Sequence, residues 1–192
     1  MARPRSFDET EIRSKLLQSF WVTGFDGTAL PDLEEATGLS RKSLYNAFGD
    51  KREMFLDALR AFRRTAVETN TKALIEPDAS IQNIGAVLHG LADLAQTVQG
   101  RAGCMVCNTS REAIRNDPAV KAEIDAYFRQ LEDQFRAVIE RGQAKGDIRD
   151  HPPGALAQLC VSAVVSISVL SKAGQPTDML RAIATETVSA LT

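Results

Sequence analysis

The chain has 192 residues, of which 44% are hydrophobic and 25% charged, and its formal net charge is -2. This length and apolar content allow a substantial buried core in one or two domains, and the near-neutral charge excludes a generally basic nucleic-acid binder. Any affinity for phosphate would therefore depend on locally placed Arg and Lys. The three cysteines, an odd number, and the lack of a secretory signal predict a reducing, cytoplasmic environment without a disulfide framework.

The first predicted elements are a short basic arm and a helix. Arg3 and Arg5 precede the helix, and such an arm either lies in the minor groove of DNA or remains a disordered tail. Asp8 is predicted to cap the helix, and Glu11 closes a capping box with it. Gly24 is predicted to end the helix in the left-handed conformation. The expected inner face consists of Ile12, Leu16 and Phe20.

Residues 28–54 predict two short helices joined by a tight turn, followed by the start of a third helix. Thr28 is expected to cap the first of these helices with its hydroxyl group. Gly38 supplies the backbone freedom that the turn requires, and Ser40 can cap the second helix. Asp50 is expected to cap the third helix, which places Lys51 beside an N-terminus where phosphate binds well.

The second helix of this pair has one apolar face and one basic face. Leu44 and Phe48 lie one turn apart, so both are predicted to point inward. The opposite face is suited to DNA, because a helix fits the major groove, Arg, Lys and Asn can address base edges, and hydroxyl groups can address phosphate. A solvated face on an ordinary helix pair would show the same pattern. The exposed candidates are Arg41, Lys42, Ser43, Tyr45 and Asn46.

Residues 24–51 closely resemble the DNA-binding domain of TetR/AcrR-family transcriptional regulators, a helix-turn-helix class. The segment reads GFDGTALPDLEEATGLSRKSLYNAFGDK, and the match lies in Gly24, Phe25, Thr28, Ala36, Gly38, Ser40, Leu44, Tyr45, Phe48 and Lys51. The resemblance implies an all-α, TetR-like fold of about nine helices. Residues 1–50 would form a three-helix DNA-binding domain, and residues 51–192 a helical bundle for ligand binding and dimerisation.

The same resemblance implies a repressor that acts as a homodimer on a palindromic, double-stranded DNA operator and that a small-molecule inducer releases. Two recognition helices of a dimer can meet successive major-groove faces of such a site. No cofactor is expected. The predicted DNA contacts are Arg3, Arg5, Thr28, Arg41, Lys42, Ser43, Tyr45, Asn46 and Lys51.

Apolar residues at helical spacing continue through the rest of the chain. Pro and Gly residues between the periodic segments mark the expected helix ends. The predicted helices run from Asp50 toward Ile75, from Ser80 to about Gln99, from Cys104 to about Asn116, from Pro118 to about Lys145, from about Gly154 to Ser171, and onward from Pro176.

Residues 151–171 contain no Asp, Glu, Lys or Arg, so they are the one stretch that suggests a membrane span. They open with two prolines and contain Gln158 and four serines, which favours a buried helix instead. A helix that is apolar on nearly every side must be covered on every side. We therefore predict no membrane association, and we expect the last two helices to form a four-helix bundle with their twofold copies.

TetR/AcrR-like proteins typically bind a small molecule inside the C-terminal bundle, and the resemblance implies a ligand pocket here. It would be mostly apolar with few polar anchors. For each candidate the alternative is ordinary core packing, because aromatic and Met side chains at helical spacing usually pack. The candidates are Phe62, Leu88, His89, Cys104, Met105, Tyr127, Phe128 and Leu131.

Cys104 and Cys107 are three residues apart, so they share a face if the segment is helical. The start of a helix would lower the pKa of Cys104, and some relatives sense electrophiles through a cysteine after this glycine. One hypothesis is therefore a thiol sensor at Cys104, and its alternative is a small buried side chain. A metal site is not predicted, because two cysteines lack a second pair and His89 and His151 are isolated.

Two other classes of function compete with a DNA-binding regulator. An enzyme is not predicted, since the sequence has no nucleophile elbow, phosphate-binding Gly loop or Glu-x-x-His pair. A helical protein-interaction module remains open, but it has no need to align the basic side chains of the second short helix on one face.

Overall fold

The computed structural model describes residues 7–192, and within them it contains α-helices and two short 3-10 turns but no β-strand. The all-α prediction is confirmed. Arg3 and Arg5 lie outside the described residues. The helices are α1 (Glu9–Gly27), α2 (Leu30–Thr37), α3 (Arg41–Phe48), α4 (Lys51–Asn70), α5 (Ile81–Leu94), α6 (Val98–Arg101), α7 (Met105–Thr109), α8 (Pro118–Lys145), α9 (Pro153–Lys172) and α10 (Thr177–Ser189). The 3-10 turns are Lys72–Leu74 and Ala113–Asn116.

Helices α1, α2 and α3 pack around a core that the first turns of α4 complete. Phe20 and Leu44 are fully buried. The ring of Phe55, in α4, meets Phe20 edge-on with the centroids 5.3 Å apart. Asp50 caps α4 as predicted: it accepts a hydrogen bond from the Glu53 N–H at 2.8 Å, and the Glu53 carboxylate accepts one from the Asp50 N–H at 2.8 Å. The core of the N-terminal domain therefore extends past residue 50 into α4.

Two predicted helices end earlier than expected because local hydrogen bonds stop them. Helix α4 ends at Asn70 and not near Ile75, since Thr71 leaves the helical conformation and its hydroxyl donates to the Val67 carbonyl. Helix α5 ends at Leu94 and not near Gln99. The four residues of α6 follow as a separate turn, which Thr97 caps through a 3.0 Å hydrogen bond from the Gly100 N–H.

The segment from Cys104 to Asn116 is not the single helix that was predicted. It forms the five-residue α7, a turn and a 3-10 turn. Glu112 adopts an extended conformation between them (φ -91°, ψ 158°), and its carboxylate accepts a 3.0 Å hydrogen bond from the Asp26 N–H at the end of α1. A contact with a distant part of the chain thus overrides the local helix propensity and interrupts the helix at Glu112.

Ion pairs join α4 to α8 and hold the N-terminal domain on the bundle. The Arg52 guanidinium makes a two-pronged contact with Asp117, with N–O distances of 2.5 and 2.9 Å. Arg63 donates to Glu123 at 2.8 Å. The Asp117 carboxylate also caps α8, because it accepts hydrogen bonds from two N–H groups of the first turn. The same residue therefore fixes both the start of α8 and its contact with α4.

Helix α9 has a continuous uncharged face that the rest of the chain leaves exposed. Among the described residues it is the one helix long and apolar enough to cross a membrane by length and composition, and 39% of its most apolar window is buried inside the chain. Its residues in contact with α8 and α10 are buried in the core. The exposed stripe contains Ala155, Leu159, Ser162, Ser166 and Val169.

Candidate DNA interface and ligand cavity

The turn between α2 and α3 is held by hydrogen bonds on both sides. Gly38 adopts the left-handed conformation (φ 72°, ψ 10°) and donates its N–H to the Glu34 carbonyl at 2.8 Å. The Glu34 carboxylate in turn accepts a 2.6 Å hydrogen bond from the Arg41 N–H at the start of α3. Ser40 caps α3 by accepting from the Ser43 N–H. Helix α3 is thus fixed in orientation before any ligand binds.

One face of α3 is buried, and the opposite face is basic and open to solvent. Leu44 and Phe48 point into the core as predicted. Arg41, Lys42 and Asn46 are exposed, while Ser43 and Tyr45 are half-buried. The guanidinium carbon of Arg41 lies 5.4 Å from the centroid of the Tyr45 ring, which is a cation-π distance. This face brings together the five α3 residues that were predicted as DNA contacts.

Lys51 and Thr28 flank this face, but only Lys51 is placed where it could bind a phosphate. Lys51 is the first residue of α4, where the free N–H groups of the helix favour phosphate. Its ammonium group lies 4.3 Å from the centroid of the Phe25 ring, which belongs to α1. Thr28 is 1% exposed, and its hydroxyl donates to the Gly24 carbonyl at 2.6 Å. Thr28 therefore does not cap α2, which starts after Ala29, and it is not a solvent-facing side chain that could reach DNA.

A cavity of about 250 Å³ lies in the C-terminal bundle between α1, α4, α5, α8 and α9. Of the predicted pocket residues, Phe62, Cys104, Tyr127 and Leu131 line it. Leu88 and Met105 are instead buried at 0% and 1% exposure inside the core. His89 and Phe128 also lie off the cavity wall, and the Phe128 ring packs edge-on against Tyr127, with the centroids 5.4 Å apart.

Several cavity residues were not predicted from the sequence, because they belong to helices for which other roles were predicted. Trp21 belongs to α1, which was predicted only as a DNA-domain helix, yet its ring meets Phe62 at a centroid distance of 5.0 Å. The uncharged helix α9 was assigned to dimerisation alone. Its uncharged, largely apolar run was the available signal that it also needs a covering inside the monomer. The α9 residues in the wall are Val164, Ile167, Ser168 and Ser171.

The three cysteines, all within the described residues, are free and buried but differ in acidity. The Cys104 thiol is 3.6 Å from the Tyr127 hydroxyl. Hydrogen bonding to the Cys107 side chain lowers the pKa of Cys104 to about 7, and N–H groups at the start of α7 act in the same direction. The same hydrogen bond, together with burial, raises the pKa of Cys107. Burial raises the pKa of Cys160 to about 12.

Helix α1 connects the cavity to the N-terminal domain. The Trp21 indole N–H donates to the Gly103 carbonyl at 2.7 Å, and both residues line the cavity. Three residues later α1 is broken at Gly24 (φ 78°, ψ -178°), a conformation different from the left-handed end that was predicted. Past the break, Asp26 bonds to Glu112. Two hydrogen bonds, one before Gly24 and one after it, thus attach α1 to the bundle.

Within residues 7–192 no group of three or more His, Cys, Asp or Glu side chains is placed to hold a metal ion. The cavity wall in the same part of the chain supplies thiol, hydroxyl and amide groups and no carboxylate or imidazole. What this arrangement offers chemically is a basic helix face at one end and an apolar binding space at the other.

Comparison with known proteins finds matches for both the N-terminal domain and the C-terminal bundle. Residues 12–58 match the family model described as bacterial regulatory proteins, tetR family, and residues 80–186 match the model described as tetracyclin repressor-like, C-terminal domain. The chain is 26% identical over 190 residues to the uncharacterized HTH-type transcriptional regulator YezE of Bacillus subtilis (strain 168), and the match covers 94% of each protein. It is 24% identical over 188 residues to the HTH-type transcriptional repressor ComR of Escherichia coli (strain K12), covering 97% of this chain and 90% of ComR.

A solved structure adds a complex with DNA. A cysteine mutant of the TetR family transcriptional regulator CifR, complexed with 26-bp double-strand operator DNA, is similar to this chain with a TM-score of 0.87 and 26% identity. The similarity covers 99% of this chain and 100% of the CifR chain. It therefore includes the DNA-binding domain and the bundle in one arrangement.

Proposed function

The chain belongs to the TetR family of bacterial regulatory proteins, and from this premise we propose that it is a repressor whose homodimer binds a palindromic operator and releases it when a small molecule enters the cavity. Members of this family are DNA-binding transcriptional regulators and not enzymes. ComR is a named repressor, and CifR is known in complex with operator DNA. These relatives support a repressor over a protein-interaction module, and we expect it to act on DNA in the cytoplasm.

The observation that carries the DNA-binding proposal is the exposed basic face of α3, a helix whose start is fixed by the hydrogen bonds of the α2–α3 turn. Arg41, Lys42 and Asn46 are available for base edges and phosphates in the major groove. Lys51 is available for a phosphate at the start of α4. Because the whole chain is slightly acidic, binding should depend on these few cations and should fall steeply with salt.

The test uses DNA selected from a random pool by the wild-type protein. Replacing Lys42 by Ala should weaken binding to the selected DNA and lower the slope of log K against log salt by about 0.9, the value of one lost phosphate contact. Lys121→Ala is the matched control, because Lys121 is an exposed lysine on α8 that pairs with Asp125. An unchanged salt slope in Lys42→Ala would contradict the placement of α3 in the groove.

The dimer proposal rests on the uncharged stripe of α9. Leu159 and Val169 are 38% and 39% exposed, and the small residues between them allow a second helix to approach closely. We assign this face, together with α10, to the contact between two copies. Val169→Glu should convert the dimer to a monomer in sedimentation experiments. Ile75→Glu is the control, because Ile75 is more exposed but lies outside both helices; equal effects would refute the assignment.

Cys104 favours a second mode of control, in which oxidation of a thiol and not a bound ligand releases the DNA. Its lowered pKa and its place in the cavity wall both favour reaction with a peroxide. Hydrogen peroxide should then release operator DNA from the wild type and not from Cys104→Ser. Cys160→Ser is the control, because burial raises the pKa of that thiol. An equal response of wild type and Cys104→Ser would dismiss the sensor.

A further inference from the structure

The cavity restricts the chemical class of the effector, an inference that rests on the proposed release of DNA by a small molecule. Its volume is about 250 Å³. An apolar protein cavity of about 150 Å³ accommodates benzene, so this volume corresponds to roughly ten to twelve heavy atoms. The size excludes large multi-ring molecules unless the walls move apart.

The inner end of the cavity is apolar, and its polar groups already have partners. Phe62, Tyr127 and Leu131 are buried there. The Trp21 indole N–H is bonded to a carbonyl, and the Tyr127 hydroxyl accepts from the Cys104 thiol. A ligand that reaches this end gains apolar contact area, but it finds few groups that need a new hydrogen bond.

The other end of the cavity, where it opens to solvent, is polar. Thr65, Thr69 and Gln99 are exposed, and Asn70 is half-buried. Within the described residues, no hydrogen bond engages the Asn70 or the Gln99 side chain. Each amide offers both a donor and an acceptor. This end can therefore bind one polar group of a ligand whose body lies deeper.

The cavity provides no partner for a charged ligand. Of its lining side chains, as far as residues 7–192 describe them, none is Asp, Glu, Lys, Arg or His. An ionic group bound at the mouth loses part of its hydration without gaining a counter-ion, and a thiolate at Cys104 would repel an anion further. We propose that the effector is an uncharged, largely apolar molecule of roughly ten to twelve heavy atoms, with one hydrogen-bonding group that Asn70 or Gln99 binds at the mouth.

Three probes of nearly equal size and shape test this proposal by calorimetry: 4-ethylbenzamide, 4-ethylbenzoate and 4-ethylbenzylammonium. The neutral amide should bind, and each ion should bind about 30-fold more weakly or worse at neutral pH. Ala66→Phe and Val164→Phe fill the cavity from α4 and from α9, so both should abolish binding of the amide. Ala122→Phe, at an exposed position on α8, is the matched control and should bind normally.

Binding of either ion within tenfold of the amide, binding that survives both filled variants, or failure of all three probes would overturn the proposal. Measuring operator affinity in parallel separates this inference from the proposed function. If the amide binds and operator affinity does not change, the effector class stands and ligand-controlled release is wrong. If an ion binds and releases the operator, release stands and the effector class is wrong.

Discussion

Gly24 offers the sharpest test of how the DNA-binding domain is attached to the bundle. Its backbone (φ 78°, ψ -178°) is a conformation that is essentially restricted to glycine, so Gly24→Ala introduces about 1–3 kcal/mol of strain. The new Cβ would also lie 2.6 Å from the Glu112 Oε1 atom. The carboxylate must then move away from the Asp26 N–H, which costs about 1 kcal/mol more for the weakened hydrogen bond.

The total of about 2–4 kcal/mol corresponds to a fall in Tm of roughly 5–15 °C for a chain of this length. Thermal and denaturant unfolding at fixed protein concentration measure it, since the stability of the proposed dimer would depend on concentration. Gly27→Ala is the control three residues away: its backbone is not left-handed, and its Cβ would make an ordinary 3.7 Å contact with Thr23. That variant should stay within about 0.5 kcal/mol of the wild type.

A double-mutant cycle with Glu112→Ala separates the two causes. In the Glu112→Ala background the clash is absent, so Gly24→Ala should retain only the backbone strain of about 1–3 kcal/mol. Equal stability losses for Gly24→Ala and Gly27→Ala would show that the break in α1 is not a constraint. Strictly additive losses in the cycle would show that Glu112 does not contact this turn in solution.

Two further predictions concern the other attachments. The Arg52 guanidinium lowers the pKa of Asp117 from 3.8 to about 2, so its stabilising effect is fully present above about pH 4 and is lost as the pH falls through 2. Asp117→Asn, which keeps a helix cap, should be less stable than wild type at pH 6 and nearly equal to it at pH 2; a pH-independent difference in unfolding free energy would contradict the ion pair. Trp21→Phe removes the indole donor to Gly103 and keeps the aromatic ring, so it should lower the unfolding free energy by about 1 kcal/mol and reduce the ratio of operator affinities without and with 4-ethylbenzamide. An unchanged ratio would exclude this hydrogen bond as a connection between cavity and DNA.

Local chemistry made the DNA-binding half predictable from sequence. Ser40 and Asp50 cap helices by short-range hydrogen bonds, and Gly38 adopts the left-handed turn because no other residue does so as readily. Such signals lie within a few residues of the structure that they determine. The long helix after Asp117 was predicted for the same reason, since a cap and a proline at its first position are both local.

The cavity was less predictable because its walls come from distant parts of the chain. Leu88 and Met105 have the same apolar character as Phe62 and Leu131, and only the packing of helices decides which of them faces an empty space. The segment after α7 shows the same limit: Glu112 leaves the helical conformation because of a partner some 86 positions earlier in the sequence. Long-range contacts of this kind leave no periodic trace.

The same two helices form both the core of the DNA-binding domain and the cavity wall, so the proposed ligand would have a physical route to the DNA. In α1, Phe20 packs in the core of the N-terminal domain and the adjacent Trp21 lines the cavity. In α4, Phe55 packs against Phe20 in that core, and Phe62 lines the cavity. A ligand that displaced Trp21 and Phe62 would therefore move α1, which packs against α2, and α4, which packs against α3. Because the N-terminal core is closely packed, it should move as a body and not deform. The free energy available for changing operator affinity is then limited to the difference in ligand affinity between the two positions of α1 and α4.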